Sequence, residues 1–151
     1  MIFCDTSYAA KLYVPEVESA AVRAHLEGYA GEVCLSELAR AELEGVFHRR
    51  LREQHWTPAE FSAAARQFQQ DDLAGFWTWL PLNGIISQAA AQVYLTLPPE
   101  VFLRTADCLH LVTARHHGFA EIYTFDRQQA LAAPALGLSA LLSSVKARGL
   151  R

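Results

Sequence analysis

At 151 residues, 52% hydrophobic and 19% charged, the chain is long enough to bury roughly 70% of the surface its unfolded form exposes, and it reads as one domain over residues 1–151. No apolar run is long enough to span a bilayer and no basic-then-apolar leader precedes the first apolar stretch, so a membrane protein is excluded and a soluble cytoplasmic one is expected. The net charge of −3 argues at first against a nucleic-acid partner, but without the four acids singled out below the rest of the chain carries +1.

Cys4, Cys34 and Cys108 are odd in number, lack CxxC spacing and lie in apolar segments, as free core thiols in a reducing compartment do. The first stretch, MIFCDTS, is a short apolar run that delivers Asp5 into small polar residues. Two readings stand. A buried parallel strand ends there and places an acid at the carboxyl edge where ligands bind, or Asp5 caps the helix that follows. Residues 7–13 form that helix, stopping before Pro15, and residues 16–28 a second, with Val17, Ala20, Ala21, Ala24 and Leu26 apolar. Gly28 and Gly31 mark a loop, residues 33–35 a second strand, and Ser36 caps a helix running to about residue 53.

On that helix Leu38, Leu43 and Val46 recur at helical spacing, and Glu42 falls on the same stripe. A carboxylate among apolar neighbours is costly unless hydrogen-bonded, neutralised or coordinated, so Glu42 calls for a partner unless it reaches solvent at the boundary. Glu37 and Glu44 point elsewhere, and Arg40 and Glu44 are spaced for an exposed pair. His48, Arg49, Arg50 and Arg52 either complement the helix C-terminus or track phosphate.

Thr57, Pro58 and Glu60 make a capping box opening a helix to about residue 73, with Phe61, Ala64, Ala65 and Phe68 on its apolar face. Phe76, Trp77 and Trp79 follow in a short aromatic piece suited to a core or a subunit interface. Residues 80–82 read as a third strand and 87–96 as a helix ended by Pro98 and Pro99. A helix capped by Thr105 and closed by Gly118 carries Asp107 in its first turn, where an acid complements the macrodipole; yet Leu111 and Ala114 share its side, which is the buried one. His110 is a hydrogen-bonded core residue or a base. Residues 121–125, the most β-prone run, deliver Asp126 as MIFC delivers Asp5. A helix over 127–133, breaks at Pro134 and Gly137, a last strand within 136–142 and a basic tail complete the chain.

Alternating strands and helices predict an α/β fold of three α/β/α layers with a central parallel sheet. Asp5 and Asp126 then meet at its carboxyl edge, with Glu42 and Asp107 converging from helices. Four acids in one crevice stay ionised only beside compensating cations, and hard oxygen ligands without a His/Cys set suit Mg²⁺ or Mn²⁺. That equipment suits phosphodiester hydrolysis.

Nearly the whole chain resembles a PIN-domain protein of the VapC type, the ribonuclease toxin of toxin–antitoxin pairs. FCDTSYAAKLYVPE is similar to the family's opening, SELARAELEGVFHRR to its glutamate helix, LRTADCLHLVTARHHG to its third-acid helix and YTFDRQQALAA to its last-strand motif. The resemblance implies that Asp5, Glu42, Asp107 and Asp126 are the catalytic, metal-holding acids, supported by Thr6, Ser7 and Thr124. It also implies Mg²⁺- or Mn²⁺-dependent endonucleolytic cleavage of RNA, a homodimer, and a small antitoxin inserting a helix near the acids. Cys108 stands where the family more often has alanine. Three alternatives compete. A receiver-type phosphoacceptor would need an acidic pair after the first strand and a late lysine, and no lysine lies between Lys11 and Lys146. A silent protein of the same fold would bind RNA or a partner without cutting. A metal-free ribonuclease would work through the 2′-OH with His110.

Overall fold

The computed structural model describes residues 1–142, so the expected basic tail lies outside the described residues. Strand β1 (Ile2–Phe3) pairs in parallel with β2 (Val33–Ser36), and β2 in parallel with β3 (Trp77–Leu80). Strand β4 (Glu121–Thr124) pairs in parallel with β5 (Ser139–Leu142). A parallel bridge from Cys4 to Tyr123, with the Asp5 N–H donating to the Tyr123 carbonyl at 3.1 Å, joins the two sets. The strands therefore run in the order β3-β2-β1-β4-β5.

Every residue of β2 is buried, as a strand covered on both faces requires. Side chains alternate between two cores. Cys4, Val33, Leu35 and Trp77 face one, formed with the helices α1 (Thr6–Ala9), α2 (Ser19–Glu27), α3 (Leu38–Arg52) and α4 (Pro58–Leu73). Phe3, Cys34 and Ile122 face the other, formed with α5 (Gly84–Thr96), α6 (Thr105–His116) and α7 (Arg127–Ala132). The result is the expected three-layer α/β/α architecture around a parallel sheet. Cys4, Cys34 and Cys108 are free and buried. No described helix is long and apolar enough to cross a membrane.

Several boundaries differ from the sequence expectation, each for a local reason. Helix α1 begins at Thr6, capped by Asp5, and tightens into a 3-10 turn over Ala10–Leu12. Helix α2 starts only at Ser19; Val17 is 96% exposed, and Val22 and Leu26 supply the buried face. On α3 the fully buried row is Ala39, Leu43 and Phe47, while Leu38, Glu42 and Val46 flank it half-buried. Ser36 Oγ accepts from the Leu38 N–H at 3.3 Å. Arg40 does not pair with Glu44; it reaches Asp72 and lies 4.1 Å from the Trp79 ring centre. The third strand is the aromatic piece at residues 77–80 rather than 80–82, because Pro81 has no N–H for a ladder and Leu82 donates instead to Glu37. Asn83 caps α5 through Ile85 and Ile86, three residues ahead of the expected start. Thr105 is the first residue of α6, not its cap. Gly137, at φ 76°, makes the left-handed turn that delays β5 to Ser139.

The capping box of α4 forms in full: Thr57 Oγ1 accepts from the Glu60 N–H, and Glu60 accepts from the Thr57 N–H at 2.7 Å. Thr57→Ala is expected to lower unfolding free energy by about 1 kcal/mol in a urea titration, with an unchanged m-value.

Candidate active site

Chain connections leave β1 and β4 toward opposite faces of the sheet, so the crevice at their carboxyl ends is the topological switch point. An open cleft of about 450 Å³ lies there, lined by Asp5, Glu42, Asp107 and Asp126 together with Thr6, Ser7, His110 and Arg104. Lys11, Glu16, Arg49, Arg50 and Phe125 line it as well. The four predicted acids are thus brought to one place from four elements: the end of β1, α3, α6 and the end of β4.

Asp5 is 3% exposed. Ser7 Oγ donates to its Oδ1 at 2.7 Å, the Tyr8 N–H to the same oxygen at 3.0 Å, and Thr124 Oγ1 to Oδ2 at 2.7 Å. Those hydroxyls are themselves held by the end of β4: the Phe125 N–H donates to Ser7 Oγ at 2.8 Å and the Asp126 N–H to Thr124 Oγ1 at 2.9 Å. Asp5 is therefore both the cap of α1 and a wall of the cleft; the two sequence readings are both realised. Thr124 is fully buried and reaches Asp5 from behind the cleft. Burial pushes the Asp5 carboxyl up from its ordinary value, opposed by the field of His110 and by the bonds from Thr124, Ser7 and Tyr8.

Glu42 has a different balance. Burial would raise its pKa, but a hydrogen bond and charge from His110, the Thr6 hydroxyl and the field of Arg104 outweigh it and hold the carboxyl below its ordinary value. His110 is 2% exposed, with Nε2 2.7 Å from Glu42 Oε2; to donate to a carboxylate, that nitrogen must carry the proton. The opposite nitrogen, Nδ1, is buried without a partner among the described residues. Thr6 Oγ1 donates to the same Oε2, so both bonds fall on one oxygen and Oε1 stays uncommitted among the described residues.

Asp107 is 8% exposed, and Asp126 caps α7 by accepting from the Gln128 and Gln129 N–H groups at 2.8 and 3.0 Å. One guanidinium joins the two acids. Arg104 Nε donates to Asp107 Oδ2 at 2.7 Å, and its Nη2 reaches both Asp107 Oδ1, at 3.4 Å, and Asp126 Oδ2. Sequence reasoning passed over Arg104 and did not pair His110 with Glu42. The Arg104–Asp107 pair had a legible signal, opposite charges three apart at a helix start; the pair between α6 and α3, 68 residues apart, had none.

Among the described residues no three His, Cys, Asp or Glu side chains are set to grip an ion together. The donor chemistry still fits Mg²⁺ or Mn²⁺, which take hard oxygens and need only one or two carboxylates beside water and substrate. Asp5, Asp107 and Asp126, with Glu42 beside them, are the residues that could hold one.

A parallel α/β/α domain with an acid-lined cleft at its switch point defines the class. Residues 2–133 match the PIN domain family model, and the chain belongs to that family. Among solved structures it is similar to VapC20 of Mycobacterium tuberculosis, a Sarcin-Ricin loop cleaving toxin, at 20% identity and a TM-score of 0.68 over 87% of this chain and 95% of that one. It is also similar to FitAcB of Neisseria gonorrhoeae, at 20% identity and a TM-score of 0.74 over 93% and 96% of the chains. FitAB bound to a DNA fragment matches at 20% identity and a TM-score of 0.68 over 93% of each chain. No curated protein matches by sequence.

Because folding raises the Asp5 pKa, the proton is bound more tightly in the native state. The favourable contribution is present below the unfolded value of about 3.9 and is lost as pH rises through the native pKa. In chelator, Asp5→Asn is therefore expected to gain on the parent in melting temperature between about pH 4 and pH 7. A difference that stays constant across that range would contradict the burial effect.

Proposed function

We propose that the chain is a metal-dependent endoribonuclease, the toxin of a toxin–antitoxin pair, acting in the cytoplasm as a homodimer and neutralised by a small antitoxin. The observation that carries the reading is the convergence of Asp5, Glu42, Asp107 and Asp126, from four separate elements, on one open cleft. Membership of the PIN family and the likeness of fold to VapC20, a Sarcin-Ricin loop cleaving toxin, support it.

In this mechanism Asp5, Asp107 and Asp126 would hold Mg²⁺ or Mn²⁺. When bound, such an ion supplies an activated water and neutralises charge on the phosphodiester. Glu42 is kept ionised by His110 and Thr6, and its uncommitted Oε1 is the group that receives the proton of the attacking water. Ser7 and Thr124 fix the Asp5 carboxylate so that neither oxygen swings away. The strand's phosphates run past the cations lining the cleft. There Lys11 is tied to Glu16 and Glu18, and Arg50 to Glu16, while Arg49 has no ion pair among the described residues and is open to a phosphate.

The test is cleavage of a pool of structured RNAs by the purified protein with Mg²⁺, with Mn²⁺ and with chelator, beside Asp5→Asn and Asp107→Asn. Metal-dependent cutting that falls roughly 100-fold or more in both variants is expected. Cutting that survives chelator would point instead to metal-free chemistry at His110, and variants as active as the parent would remove the four acids from the reaction.

A further inference from the structure

Among the described residues, the guanidinium lying across Asp107 and Asp126 belongs to the chain itself. Arg104 holds Asp107 with two nitrogens and touches Asp126 with one of them, linking the start of α6 to the end of β4. Its backbone is extended (φ −74°, ψ 153°) just ahead of the helix, and its side chain is 54% exposed, so water reaches the guanidinium on its outer side. Burial does not lock it in place. Asp107 is buried but the guanidinium is open to water, and a pair screened on one side shifts an equilibrium by only about fivefold. Asp107 and Asp126 together carry two negative charges; a guanidinium cancels one and a divalent ion cancels both.

We propose that Arg104 is a positioning residue with two stations. Without an ion it rests on Asp107 and Asp126 and keeps the two acids together. When a divalent ion takes those carboxylates, Arg104 is displaced to the cleft mouth and its planar fork engages a phosphate of the incoming strand. A guanidinium matches phosphate with two parallel donors, and Arg104 already lines the cleft that Lys11, Arg49 and Arg50 flank. The inference rests on the nuclease reading above and adds an order of events: ion first, then the arginine handed from carboxylate to phosphate. It also gives the acids a counter-charge during folding, before any ion is present.

Two readouts test it, one of them independent of cleavage. Mn²⁺ binding to the RNA-free protein is followed by electron paramagnetic resonance for the parent, Arg104→Gln and Arg104→Lys. Loss of the competing cation is expected to tighten Mn²⁺ binding in Arg104→Gln by roughly three- to tenfold, with Arg104→Lys near the parent because its charge is kept. In RNA cleavage at saturating Mn²⁺, KM is expected to rise several-fold in Arg104→Gln while kcat changes less, and Arg104→Lys recovers only part of it because it lacks the fork. Mn²⁺ affinity that is equal or weaker in Arg104→Gln overturns the competition. A tighter ion with unchanged KM overturns the hand-over to phosphate. No Mn²⁺ binding by any of the three overturns the metal-dependent reading and this inference together.

Discussion

Asp5 sits almost fully buried where β1 meets β4, and that seam is where the two halves of the sheet meet. A parallel bridge from Cys4 to Tyr123 and the Asp5 N–H bond to the Tyr123 carbonyl join them there. Two hydroxyls reinforce it: Ser7 and Thr124 each accept an N–H from the end of β4 and donate to the Asp5 carboxylate. One acid thus serves as helix cap, strand clamp and cleft wall. Burying a carboxylate is expensive unless its oxygens are satisfied, and three donors supply that here. The same bonds that join the end of β1 to the end of β4 hold the acid in a fixed orientation toward the cleft.

The four acids are not equivalent. Burial dominates at Asp5 and pushes its pKa up, whereas at Glu42 burial is outweighed by His110, Thr6 and the field of Arg104 together, and the pKa is held down. Asp107 and Asp126 are bridged by Arg104. Different groups thus offset the acids' charges: hydroxyl and N–H donors at Asp5, an imidazole at Glu42, and one guanidinium shared by Asp107 and Asp126. Like charges in one crevice otherwise raise one another's pKa until a proton is shared.

Much of this was legible in the chain. Asp5 and Asp126 stood out because a β-prone apolar run ends on each, and parallel strands bring such ends to one edge. Glu42 and Asp107 stood out because each shares a helix side with apolar residues, although for Glu42 that side is the flank of the buried row and not its centre. What failed was local. The aromatic run 76–80 has no period that separates strand from helix, so β3 was displaced onto the residues around Pro81. Arg104 was passed over, since nothing in its own neighbourhood shows that Asp126 will arrive beside it.

His110 shows why composition and spacing run out at the site. Its two sequence readings were a hydrogen-bonded core residue and a base, and the buried ring bonded to Glu42 is the first, held at the edge of the cleft. The imidazole cannot leave without exposing a hydrogen-bonded carboxylate to its neighbours, and Glu42 cannot be made neutral without leaving the ring's donor without an anion to bond. Packing and electrostatics are thus one constraint across α3 and α6. The same holds at Arg104, where the bond that orders the start of α6 is also the bond that balances Asp126 at the end of β4. The cleft is a set of charges, and the tertiary contacts that stabilise those charges are the ones that close the sheet's two halves around them.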